Sequence, residues 1–168
     1  MRTSSLAALL VLAACSGPGG ARYDAATDTT TYRAPATSIG APSSGGSLGA
    51  AQISIGAEAT CRGADCAPDR YEITLSKAGG NTAVTDYSQV SFETQEGTIS
   101  FGDQVNADGT AQFYSVSQGE FVRLSVPSHI YRSLATAPSL TIRLGGSVYT
   151  LSYGRRAPLR SILPAADA

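Results

Sequence analysis

From residue 51 onward the chain alternates apolar and polar positions in short runs separated by turn residues. Ala51–Ala59 places Ile53 and Ile55 on one face, and Arg70–Lys77 places Tyr71, Ile73 and Leu75 on one face with Glu72, Thr74 and Ser76 on the other. This period of two predicts half-buried β-strands. Further strands are predicted at Gln89–Thr94, Gly97–Gly102, Ala111–Ser117 and Glu120–Val126; in the last, Val122, Leu124 and Val126 share a face opposite Phe121 and Arg123. Gly79-Gly80-Asn81, Asn106-Ala107-Asp108-Gly109 and Ser117-Gln118-Gly119 break the runs, as turn residues do. Ser139–Leu144 and Ser147–Tyr153 flank Gly145-Gly146, a pair suited to a primed hairpin turn in which both central residues need positive φ.

Two stretches lose the alternation. Pro127–Ala135 carries Ile130, Tyr131 and Leu134 at helical spacing, with Ser128 as a candidate cap. Arg155–Leu163 carries Leu159, Ile162 and Leu163 likewise, which predicts a short closing helix. At the other end, Arg22–Arg33 reads as strand, turn around Ala26–Asp28, and strand. Residues 34–49 are rich in Pro, Gly and Ser and are expected to form a loop, long enough to leave that first hairpin loosely attached. The expected architecture is a single mainly-β domain over residues 22–165, an antiparallel β-sandwich (Ig-like or barrel-like) with two short helices near the C-terminus covering an edge or an open end.

The chain opens with Arg2, an apolar run from Leu6 to Leu12, and then Ala13, Ala14 and Cys15. A charged start, apolar middle and small-residue end describe a secretory signal peptide, and the run is shorter than the ~20 residues a spanning helix requires. Leu12-Ala13-Ala14-Cys15 resembles the lipobox of bacterial lipoproteins. The resemblance implies removal of residues 1–14, a diacylglyceryl group on Cys15, and acylation (palmitate or a similar chain) of the new amino terminus. Two or more chains hold a protein stably to a membrane. Ser16 rather than Asp follows the cysteine, which in that family implies the outer membrane, facing the periplasm. Residues 15–21 read as a flexible tether.

Composition narrows the function. The chain has 12 basic and 13 acidic residues and no block of like charge, so the basic stripe that a nucleic acid would need is missing. With Cys15 lipidated, Cys61 and Cys66 remain as an even pair in an exported chain and are expected to form a disulfide across Arg62-Gly63-Ala64-Asp65. Such a short loop is worth about 2 kcal/mol in the chain-entropy account. A structural zinc needs four ligands, and His129 is the only further soft ligand.

Candidate chemistry is sparse. Gly45-Gly46-Ser47-Leu48-Gly49 matches the Gly-x-Ser-x-Gly elbow, but that elbow requires a strand pinched against a helix, and here the flanks are linker-like. His129, the single His, would have to serve any Ser-His or Cys-His mechanism and sits at the predicted helix start. Asp103, Asn106 and Asp108-Gly109 suggest calcium, yet with Gly109 at the sixth position of an EF-hand loop, Gln104 and Ser115 fall where ligands belong. Glu93, Glu96 and Glu120 read as solvent-facing strand carboxylates, and the tyrosines mostly as half-buried strand residues. No catalytic residue, metal or cofactor is expected. The expected function is a lipid-anchored, non-enzymatic module that binds or helps assemble periplasmic or outer-membrane partners. The alternatives are a small-ligand carrier with an inter-sheet cavity and, third, a hydrolase built on Ser47 or His129.

Overall fold

The computed structural model describes residues 20–40, 52–78, 89–102, 111–116, 119–144 and 146–164. Among the described residues there are ten strands: β1 (Ala21–Asp24), β2 (Thr29–Gly40), β3 (Gln52–Arg62), β4 (Arg70–Ala78), β5 (Gln89–Thr94), β6 (Gly97–Gly102), β7 (Ala111–Val116), β8 (Gly119–Pro127), β9 (Ser139–Leu144) and β10 (Ser147–Ser152). Helix α1 (Ser128–Thr136) joins β8 to β9; a 3-10 turn (Gly154–Arg156) and helix α2 (Ala157–Arg160) follow β10. One sheet has the order β1-β2-β3-β4-β8-β7 and the other β10-β9-β5-β6, and every pairing is antiparallel. The fold is a mainly-β, two-sheet sandwich. Its chain crosses between the sheets three times, so β4 lies between β3 and the distant β8, and β5 between β6 and the distant β9.

Alternation decides what fills the space between the sheets. Ile53, Ile55, Tyr71, Ile73, Leu75, Val122, Leu124 and Val126 from the large sheet join Val90, Phe92, Leu140, Ile142, Leu144, Tyr149 and Leu151 from the small one in a single apolar core. Phe92 and Phe101 meet edge to face at 5.9 Å between centroids, a favoured aromatic geometry.

Three expectations change. Residues 34–40, placed in a loop by composition, continue β2. The ladder is irregular between Ala34 and Thr37 and again between Ser38 and Gly40, so Pro35 sits in a bulge where no ladder donor is required. Ala34 and Ile39 nevertheless point into the core, and the first hairpin is bound to β3 over the length of β2 rather than loosely attached. The remainder of that expected loop, 41–49, lies outside the described residues. Ser128 does not cap α1: Pro127 is the cap residue, and the Ser128 N–H donates to Asp69 O at 2.8 Å. The closing segment is a 3-10 turn followed by a single turn of α-helix, with Leu159, Ile162 and Leu163 buried as their spacing implied.

The turn and α2 hold the least expected residue of the interior. Arg156 is wholly buried. Its Nη1 donates to Leu134 O at 2.7 Å, Nη2 donates to Ala137 O, and Nε reaches Ser152 O at 3.5 Å. Leu134 and Ala137 lie at the C-terminal end of α1, where carbonyls have no intrahelical partner and the helix dipole is negative. Arg160 adds Nη1 to Tyr153 O at 2.7 Å and to Ala135 O at 3.5 Å. Burial, and then the like charge of Arg160, hold the Arg156 guanidinium below its ordinary pKa. It stays charged at neutral pH because arginine is so basic. Within α1, Tyr131 stacks on Tyr71 with centroids 4.0 Å apart and rings 4° from parallel, and its hydroxyl donates to Leu159 O at 2.8 Å.

Replacing Arg156 by Ala removes the donors from buried carbonyls and leaves a void, each of which is costly. The expected loss in urea denaturation is about 3 kcal/mol or more. Arg156→Lys restores only part of it, since an ammonium cannot fork between two carbonyls.

Burial foremost, then Tyr71, pushes the Tyr131 phenol well above its ordinary value of 10.0. The unfolded chain therefore releases this proton first, and the stabilisation is complete below pH 10 and is lost as pH rises above it. Stability profiles through this range should fall less steeply in Tyr131→Phe, by up to about 1.4 kcal/mol per pH unit. An unchanged slope would contradict the burial of the neutral phenol.

Candidate functional site

Because odd positions of β4 and even positions of β8 face the core, Arg70, Glu72, Arg123 and Ser125 face outward. Strand register assembles them with residues of β2 and β3: Arg33 is opposite Glu58, Glu58 opposite Glu72, and Glu72 opposite Ser125. Two glutamates thus stand side by side on neighbouring strands, an arrangement that is unfavourable by itself. Each is drawn to a guanidinium on its outer side. Arg33 Nη2 lies 2.5 Å from Glu58 Oε2, and Arg123 Nε lies 3.4 Å from Glu72 Oε2. These pairs are solvated and contribute about 0–1 kcal/mol each. Their consequence is positional, since they spread the charges across a rigid sheet.

Beside this row, Arg70 is fixed to β8, donating from Nε to Ser125 Oγ at 3.0 Å and from Nη2 to Ser125 O at 3.1 Å. Arg62, Asp69, Arg70, Glu72, Glu58, Thr60 and Ser125 line an open groove of about 530 Å³ on this outer face, together with Ala59 and Cys61 of β3. Cys61, one of its lining residues, is bonded to Cys66, with Cα atoms 5.8 Å apart. The disulfide loop is tied to the first hairpin: Thr30 Oγ1 donates to Gly63 O at 2.5 Å, Tyr32 Oη to Cys66 O at 2.7 Å, and Gly63 N–H to Asp28 O at 2.9 Å. Arg62 reaches the hairpin turn at Asp28, 3.5 Å away. The groove offers guanidinium and carboxylate groups together on a preorganised surface. That set suits charge-assisted hydrogen bonds to a ligand carrying both signs of charge.

The residues singled out in the sequence are distributed as follows. Cys61 and Cys66 are bonded to each other. Cys15, Ser47, Asp103, Asn106 and Asp108 lie outside the described residues. His129 is exposed on the first turn of α1, and among the described residues none hydrogen-bonds its ring. Glu93 pairs with Arg143 across strands, and this hydrogen bond raises the guanidinium pKa. Glu96 accepts from Ser133 Oγ at 2.6 Å. Among the described residues, no three His, Cys, Asp or Glu side chains converge as a metal site would require. The tyrosines divide more sharply than expected: Tyr71, Tyr131 and Tyr149 are fully buried, whereas Tyr23 and Tyr153 are exposed. Burial raises the Tyr149 phenol pKa, and a hydrogen bond to Asp28 raises that of Tyr23. Reading along the chain missed the groove, because it exists only through the register of β3, β4 and β8; the one signal for it was the polar alternate face of β4.

No protein-family model, curated protein or solved structure matches this chain.

Proposed function

We propose that this chain is a lipid-anchored envelope protein that acts by binding. In this reading Cys15 carries the lipid, the protein sits on the outer membrane facing the periplasm, and the sandwich presents its outer groove to a periplasmic or outer-membrane partner. The observation that carries the binding role is the convergence in one groove of Arg62, Arg70 and Glu72 from the neighbouring strands β3 and β4 and of Asp69 from the bend that enters β4. The Leu12–Cys15 motif supports the anchor, and the disulfide is compatible with an exported protein. No helix among the described residues is long and apolar enough to cross a membrane. A carrier is the second reading. It draws on the Ser147 and Tyr149 hydroxyls, which are buried side by side on the inward face of β10 and which, among the described residues, have no partner beyond one another, so that a polar occupant would satisfy them.

Mass spectrometry of the amino-terminal peptide should show a diacylglyceryl-modified, acylated Cys15. A photo-crosslinking residue in place of Thr60, in the groove, should give a discrete adduct in intact cells, and Arg62→Glu should abolish it while the protein still folds. One in place of Arg143, on the other sheet, should give none. An unmodified amino terminus would remove the anchor. Adducts insensitive to Arg62, or equal from both faces, would remove the groove as the binding site. A small molecule retained in native mass spectra would favour the carrier.

A further inference from the structure

Charge is distributed unevenly along the chain. Residues 121–164 contain six arginines and neither Asp nor Glu. Arg123 and Arg143 are paired with glutamates elsewhere, and Arg156 is spent inside the fold. Arg155 and Arg160 have no carboxylate partner among the described residues. The Arg160 guanidinium lies 3.7 Å over the ring of Tyr153, and Tyr153 is 49% exposed, the most exposed of the large apolar or aromatic side chains described. Arg155, exposed two residues along, and Arg160, which keeps its positive charge while donating to the Tyr153 and Ala135 carbonyls, give an exposed tyrosine two uncompensated cations close by. Such a surface is suited to the boundary between water and an anionic headgroup layer, where amphipathic rings and basic side chains both concentrate.

The position of this cluster relative to the start of the domain suggests what covers it. Gly20 has φ +64° and lies so close to β2 that a Cβ there would meet Arg33 O at 2.5 Å. The described chain therefore begins beside Arg33. Since β1 is antiparallel to β2, the chain arrives from the direction of the later residues of β2. That strand ends at Gly40, where the Arg155 guanidinium lies: a Cβ on Gly40 would be 3.2 Å from its Nη1. Only five residue steps separate Cys15 from Gly20, a reach of at most ~18 Å. The run of β2 from Arg33 to Gly40 is of similar length, about 23 Å if extended and less with its bulges.

We propose that the edge formed by Tyr153, Arg155 and Arg160 lies against the anionic headgroup surface of the membrane that holds Cys15. This rests on the lipid-anchor reading above. The contact is weak for a free protein and sufficient for a tethered one, because a short tether turns it into an intramolecular encounter. It orients the domain rather than retaining it, and it weakens as salt rises.

The chain has no tryptophan, so Tyr153→Trp supplies a single tryptophan, excited selectively over the tyrosines, at the position whose ring stacks with Arg160. Full-length lipidated protein carrying this change is reconstituted in vesicles of phosphatidylethanolamine and phosphatidylglycerol whose acyl chains are brominated, and its flotation is checked first. The expected result is flotation, a blue-shifted emission, and quenching several-fold stronger than in vesicles of neutral lipid alone. Adding Arg155→Glu, at an exposed position, should leave flotation intact and reduce the quenching to the neutral-lipid level. Flotation with an unquenched tryptophan, or quenching indifferent to lipid charge and to Arg155, overturns the orientation while the anchor stands. Failure to float overturns the anchor, and with it this inference.

Discussion

A wholly buried guanidinium, held by carbonyl oxygens rather than by a carboxylate, joins the parts of this molecule that strand pairing leaves separate. Arg156 follows the last strand of the small sheet and reaches the end of the helix that enters from the large one. Hydrogen bonds within each sheet say nothing about how the two sheets meet. Helix α1 makes that connection, and its free carbonyl end would be costly to bury without donors. Arg156 and Arg160 provide those donors, so the closing segment and the crossover helix stabilise one another. The Tyr71–Tyr131 stack and the Tyr131–Leu159 hydrogen bond fasten the same helix to β4 and to α2.

With the interior fixed this way, the outward face of the large sheet is free to carry charge. Its four central strands β2, β3, β4 and β8 have 12, 11, 9 and 9 residues, whereas β9 and β10 have six each. The groove lies toward the Arg62 and Arg70 ends of β3 and β4, and the disulfide loop and first hairpin brace it through Thr30 and Tyr32. A binding surface built on paired strands keeps its geometry better than one built on loops. Under the proposed binding role, such a surface favours a ligand of fixed shape over general stickiness.

Much of the strand pattern was legible in the sequence, because one buried face leaves a period of two. Gln89–Thr94, Gly97–Gly102 and Ser139–Leu144 run between the residues that the pattern named. The disulfide was legible for a different reason: once Cys15 is set aside, two cysteines remain and have a single way to pair. The second half of β2 was hidden. Two bulges destroy its period, and Ala34-Pro35-Ala36 has the composition of a loop, while the pairing with β3 that overrides this comes from elsewhere in the chain. The groove was hidden because Glu58, Glu72 and Ser125 become neighbours only through register. Arg156 was hidden because arginine is ordinarily a surface residue, and nothing local distinguishes it from the exposed Arg155 beside it.

If Arg156 joins α1 and the closing segment to the sandwich, these parts open with it. Native-state hydrogen exchange on the unaltered protein tests this directly, residue by residue. The amides of Ala137, Arg156, Ser161 and Leu163, each bonded to a backbone carbonyl in these segments, should exchange with the same opening free energy as the central amides of β4 and β9. Rapid exchange of α1 and the closing segment above a protected pair of sheets would contradict it, and would make the arginine a latch on a fold that stands without it.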